Sequence, residues 1–84
     1  MIEQKGAITI MKNYNEILKE LREDKDLFQK EIANILETTQ QYYSEYENGK
    51  RPLPIDHLKT LCIFYNVSAD YILGLPEKLP YPKR

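Results

Sequence analysis

Residues 38–51 read Thr38-Thr39-Gln40-Gln41-Tyr42-Tyr43-Ser44-Glu45-Tyr46-Glu47-Asn48-Gly49-Lys50-Arg51, and this stretch decides the fold. Thr39 is a good helix N-cap, because its hydroxyl can accept from an otherwise unpaired N–H of the first turn. Asn48-Gly49 stops the same helix, since glycine takes the left-handed conformation without a Cβ penalty. The spacing therefore predicts a short helix over about 40–48.

Working upstream, Glu37-Thr38-Thr39 breaks a second periodic segment, about 29–36, that places Ile32, Ala33 and Leu36 on one face. Before it lies a polar break at Lys25-Asp26 and a helix through Asp24 carrying Ile17, Leu18 and Leu21. Either Asn13 or Asn15 can cap that first helix. Downstream, Lys50-Arg51-Pro52-Leu53-Pro54 is a loop, and Pro54 suits the first turn of a fourth helix. Leu58, Leu61, Cys62 and Tyr65 recur at i, i+3, i+4 and i+7, a buried stripe running to about Tyr65. Ser68 caps a short fifth helix through Leu73, and Gly74 stops it. Helices this short are marginal alone and must share one core.

The chain divides into residues 1–12, an N-terminal arm or tail; 13–75, the helical domain; and 76–84, a tail with three prolines that reads as extended. Ala7-Ile8-Thr9-Ile10 has the pattern of a short strand or ordered arm, with an unstructured tail as the alternative.

At 84 residues, 42% hydrophobic and 30% charged, the sequence is that of one small soluble domain. No run approaches the roughly 18 apolar residues of a membrane helix. MIEQKGAITIMK lacks the apolar stretch of a secretory signal. The single Cys62 excludes an internal disulfide and a cysteine-built zinc site, and a lone thiol without an export signal fits the cytoplasm. Enzyme chemistry has little material. His57 has no second metal ligand nearby in sequence and reads as lying on a polar helix face. Asp56 beside it lacks a positioned nucleophile. Cys62 falls in the apolar stripe as a small core residue. No catalytic residue, metal, cofactor or small-molecule substrate is expected.

Net charge is −1. Residues 1–42 carry six basic and eight acidic groups (−2), and residues 43–84 six basic and five acidic (+1). Any affinity for nucleic acid therefore rests on a local patch rather than on bulk charge.

Two short helices separated by about three residues form a helix-turn-helix arrangement, whose second helix can enter a DNA major groove. Leu27-Phe28-Gln29-Lys30-Glu31-Ile32-Ala33, Thr38-Thr39-Gln40-Gln41 and Tyr46-Glu47-Asn48-Gly49-Lys50-Arg51 resemble the Cro/C1-type (XRE-like) family of phage and bacterial repressors. Asn66-Val67-Ser68-Ala69-Asp70-Tyr71-Ile72-Leu73-Gly74 is similar to that family's fourth-to-fifth helix junction. The likeness covers about residues 13–75 without gaps. It implies an all-α, compact five-helix, lambda-repressor-like bundle with helices two and three as the helix-turn-helix.

The resemblance also implies roles. A glutamine side chain presents a donor and an acceptor together and can pair with adenine N6 and N7. Gln40 and Gln41, in the first turn of helix three, match base-contacting glutamines. Gln29 is implied to bond a phosphate and brace Gln40. Thr39 is a cap first and a DNA contact second. Ser44 and Glu45 lie one turn further. Glu45 matches a position that often reads a base, and it is either a cytosine reader or a solvated residue. Tyr42 points to the DNA side, whereas Tyr43 and Tyr46 match buried positions. Asn48, Lys50 and Arg51 form a loop of the kind that clamps phosphates. Arg22 and Glu47 are implied to pair and fix helix three on the scaffold.

Two residues depart from the family pattern. Glu37 stands where glycine is usual, and Phe28 stands where a Ser or Thr cap is usual. A non-glycine residue pays about 1–2 kcal/mol in left-handed geometry. The missing cap costs about 1 kcal/mol, which Glu31 can offset by reaching back to the Phe28 N–H.

The expected function is sequence-specific binding of a double-stranded DNA operator by a dimeric transcriptional repressor. Ile63 and Phe64 fall off the apolar stripe of helix four, and with Leu75 they form a candidate dimer surface. The tail's Leu79 and Tyr81 either extend that surface or fold back over the core. The alternative is an antitoxin-like or anti-repressor module that binds a protein partner on the same scaffold. With only residues 76–84 after the domain, regulation is expected through abundance, dimerisation or a partner rather than an effector domain.

Overall fold

The computed structural model describes residues 13–76 together with Pro80 and Pro82. The readings of residues 1–12, Leu79 and Tyr81 lie outside the described residues. The chain forms α1 (Tyr14–Asp24), α2 (Gln29–Ile35), α3 (Gln40–Glu47), α4 (Ile55–Tyr65) and α5 (Ala69–Leu73). No strand occurs among the described residues.

The starts of these helices follow from local chemistry. Asn13 takes the N-cap position of α1 without a side-chain cap bond. The Asn15 side chain instead crosses to α3, where its Nδ2 donates to the Glu47 carbonyl at 3.4 Å. Thr39 Oγ1 accepts from Tyr42 N at 3.1 Å, and Ser68 Oγ accepts from Tyr71 N at 3.1 Å. Phe28 caps α2 without a side-chain bond, but its own N–H donates to Glu31 Oε1 at 2.7 Å. The Glu31 half of a capping box is thus present where the Phe28 half is chemically impossible.

All five helices end in one device. Among the described residues, positive φ occurs at Asp26 (56°), Glu37 (58°), Gly49 (75°), Asn66 (59°) and Gly74 (73°), one after each helix. In each case the next N–H returns to a carbonyl five residues back. The pairs are Leu27 to Arg22 (3.1 Å), Thr38 to Ala33 (2.9 Å), Lys50 to Glu45 (2.9 Å), Val67 to Cys62 (3.0 Å) and Leu75 to Asp70 (2.9 Å). These are Schellman closures, which satisfy carbonyls that the helix leaves open. Glycine supplies only two of the five left-handed residues. Asp26 and Asn66 belong to types that tolerate this geometry, but Glu37 does not and carries the strain.

The core joins every helix. Leu18 of α1, Ile32 and Ala33 of α2, Leu36 after it, Tyr43 and Tyr46 of α3, Leu61 and Tyr65 of α4, and Ile72 of α5 form one buried cluster. Tyr43 and Tyr46 meet edge to face with ring centroids 6.1 Å apart. Leu58 and Cys62 are only partly buried, at the rim of this cluster. Helix α3 packs on α2 and on α1, while α5 packs on α1 and α4. The Tyr14 hydroxyl accepts from Leu53 N at 3.1 Å, tying the loop before α4 to the start of α1.

His57 does not sit on a polar face. It is half-buried, with its ring 5.7 Å from that of Tyr46 and its Nδ1 buried without a partner. Helical spacing alone cannot register this contact, because it depends on how α4 crosses α3.

Candidate nucleic-acid interface

Helix α3 has two faces. Tyr43, Tyr46 and Glu47 point inward and are buried. Gln40, Gln41 and Tyr42 are exposed in its first turn. Side chains of that turn lie at the positive end of the helix dipole, where backbone N–H groups face outward. A duplex approaching this end meets two amide side chains and a tyrosine first.

The inner face is anchored by a charge pair. Arg22 Nε donates to Glu47 Oε2 at 2.7 Å and Nη2 donates to Oε1 at 3.0 Å, a bidentate contact from α1 to the last residue of α3. Arg22 Nη1 also donates to the Leu27 carbonyl at 2.9 Å, so one guanidinium ties α1, the following turn and α3 together. Burial by itself pushes the Glu47 carboxyl up. Hydrogen bonds from Arg22 and other neighbours outweigh that and hold it below its ordinary value. The same contact raises Arg22, so both groups stay charged.

Gln29 belongs to this network rather than to a Gln29–Gln40 brace. Its Nε2 donates to Glu47 Oε1 at 3.1 Å. A buried carboxylate is a stronger acceptor than a neighbouring amide, which is why the glutamine turns inward. The Gln29 side-chain amide is therefore engaged within the protein.

A second cluster lies on the outer side of α3. Arg51 Nε donates to Glu45 Oε1 at 2.8 Å. The Arg51 guanidinium carbon stands 4.0 Å from the centre of the Tyr42 ring, a cation–π contact. Sequence reading placed Glu45, Tyr42 and Arg51 separately and missed their association. The signal was available. A helix ending at Gly49 folds residues 50 and 51 back toward residue 45, and an opposite charge waited at each end. Ser44 and Asn48 form a similar local pair, with Asn48 Nδ2 donating to Ser44 Oγ at 3.3 Å. Lys50 is exposed beside them.

The candidate dimer residues lie elsewhere. Ile63 is 81% exposed, Phe64 39% and Leu75 42%. Ile55, at the start of α4, is a further apolar residue left in solvent. Among the described residues no group of three or more His, Cys, Asp or Glu side chains could hold a metal ion. None of the described helices is long and apolar enough to cross a membrane. The Cys62 thiol is pushed up by burial and is half-buried, which favours the unreactive protonated form.

Comparison with known proteins agrees with this geometry. A family model described as helix-turn-helix matches residues 18–72. The chain is 36% identical over 70 residues to an uncharacterised HTH-type transcriptional regulator, YobD, of Bacillus subtilis strain 168. That match takes in 83% of this chain and 62% of the relative. It is 42% identical over 60 residues to the HTH-type transcriptional regulator ImmR of the same organism, taking in 71% of this chain and 47% of the relative. The chain thus spans less than two thirds of either relative. No solved structure matches it. With the family model matched from α1 to α5 and the α2–turn–α3 unit in place, the chain belongs to the Cro/C1-type helix-turn-helix family.

Proposed function

We propose that this chain binds double-stranded DNA sequence-specifically and regulates transcription, acting as a dimeric repressor that reads the major groove with α3. One observation carries the reading. Gln40 and Gln41 are exposed on the first turn of a helix whose other end is locked to α1 and α2 through Glu47. Base readout needs amide groups held in a fixed frame, because a bidentate pair with adenine tolerates little misplacement. The relatives' names, HTH-type transcriptional regulators, support the same class of function.

Gln40 and Gln41 are the base-reading pair, with Ser44 one turn further. Lys50, Asn48 and the Thr39 hydroxyl face the backbone. Exposed Ile63, Phe64 and Leu75 support the dimer, since paired half-sites compensate for the few bases that one small helix can read. The test is selection of bound duplexes from a random pool, followed by affinity measurements across a salt series. A recovered palindromic motif, with affinity falling steeply as salt rises, supports a dimeric DNA reader. A folded protein that enriches no motif refutes it.

A second reading, an antitoxin-like or anti-repressor module, draws on the same exposed Ile63 and on the absence of any basic residue within α3. It predicts a protein partner on α4 and no selected DNA sequence.

A further inference from the structure

We propose that Glu45 is a positioning residue rather than a base reader: its carboxylate and the Tyr42 ring hold the Arg51 guanidinium as a preformed clamp for a DNA phosphate. This rests on the DNA-reading assignment above and names how one part of that surface works.

Four contacts build the clamp. The α3 terminus first sets the loop, because Lys50 N and Arg51 N both donate to the Glu45 carbonyl, at 2.9 and 3.3 Å. Gly49, at φ 75°, makes that reversal possible. Arg51 Nε then donates to Glu45 Oε1 at 2.8 Å. Finally the guanidinium lies 4.0 Å from the Tyr42 ring centre. An arginine has a long flexible stem, and ordering it on binding costs affinity. Here backbone, carboxylate and ring have fixed it in the free protein.

The ion pair uses the Nε edge of the guanidinium. An arginine carries five N–H donors, so donors remain for an acceptor from outside. The Arg51 side chain is 41% exposed and that of Glu45 25%, so the donor is the more accessible partner. The Glu45 carboxylate, by contrast, is committed through Oε1 to a charge-assisted bond, so Arg51 rather than an approaching base sets its orientation. Being neutralised by Arg51, its carboxylate also repels approaching phosphates less than a free one would. The tyrosine, the glutamate and the arginine thus act as one unit at the edge of the helix that carries Gln40 and Gln41.

The test is a double-mutant cycle on the selected duplex, using Glu45→Gln, Arg51→Ala and the pair, with base preference profiled for each. Thermal melts check that every variant is folded. Glu45→Gln is expected to weaken binding about two- to fivefold, the range of an exposed pair's coupling, with the selected motif unchanged. Arg51→Ala is expected to weaken binding to all sequences alike and reduce the salt slope by about one. In the Arg51→Ala background the effect of Glu45→Gln is expected to vanish. A changed base at one half-site position, tighter or unaltered binding by Glu45→Gln, or an equal effect without Arg51 overturns the proposal. Failure of the wild-type chain to select any motif defeats the DNA-reading assignment instead, so the two failures are distinguishable.

Discussion

Arg22 on α1 grips Glu47 at the end of α3 through both carboxylate oxygens, at 2.7 and 3.0 Å. This one contact fixes the axial position of the helix that carries Gln40 and Gln41. Glu47 is buried, with only 6% of its surface exposed, so neither partner can be lost cheaply. Removing one partner strands the other charge in a low-dielectric site. Arg22→Ala or Glu47→Ala is expected to destabilise the domain by about 3–5 kcal/mol, measured by urea denaturation. The double variant is expected to lose less than the sum, because the second change removes the stranded charge.

The same pair sets a pH dependence. The Glu47 carboxyl is held below its ordinary value of 4.5 when folded. Its contribution to stability is fully present above that value and is lost as pH falls through the lowered folded value. Urea midpoints are therefore expected to drop as pH is taken from about 6 to about 3, and the drop is expected to be smaller in Glu47→Gln. An identical acid profile in the two proteins contradicts this assignment.

Glu37 predicts a gain. It sits at φ 58° after α2, with its N–H donating to the Asn34 carbonyl at 3.1 Å. Only backbone atoms form this closure, so glycine keeps every bond and removes the Cβ strain. Glu37→Gly is expected to raise stability by about 1 kcal/mol, the strain relieved less the added freedom of the unfolded chain. Thermal melting measures it, and a lower midpoint than wild type counts against a strained turn.

Ile63 predicts an association state. An isoleucine 81% exposed beside a half-exposed Phe64 contributes nothing to the fold it sits on. Ile63→Glu is expected to leave the melting temperature of the isolated domain almost unchanged while shifting sedimentation from dimer to monomer and weakening operator binding. An Ile63→Glu chain that sediments and binds as wild type contradicts the proposed dimer surface.

Much of this was legible in the residues. Thr39, Gly49, Ser68 and Gly74 marked helix ends correctly because caps are local chemistry, decided within a few residues. The apolar stripe of α4 was readable for a similar reason, since periodicity reports one face, whereas the inward Tyr43 and Tyr46 were implied by the family resemblance. Asn66 was not recognised as a left-handed residue, because asparagine marks that conformation less sharply than glycine. The direction of Gln29, the contact of His57 with Tyr46 and the Glu45–Arg51–Tyr42 cluster were also missed. Each depends on where a side chain from a different element or a returning loop arrives, and spacing along the chain does not encode that.

The central claim is that the first turn of α3 reads bases. The most direct measurement compares the duplexes selected from a random pool by the wild-type chain with those selected by Gln40→Ala/Gln41→Ala. Both side chains are exposed, so the variant is expected to fold, with a melting temperature near that of wild type. The account predicts a defined motif for the wild type and loss of preference at the positions facing α3 in the variant. Residual, salt-sensitive, sequence-independent binding should remain from the backbone contacts. The same motif selected with the same strength by the variant contradicts base reading by these glutamines.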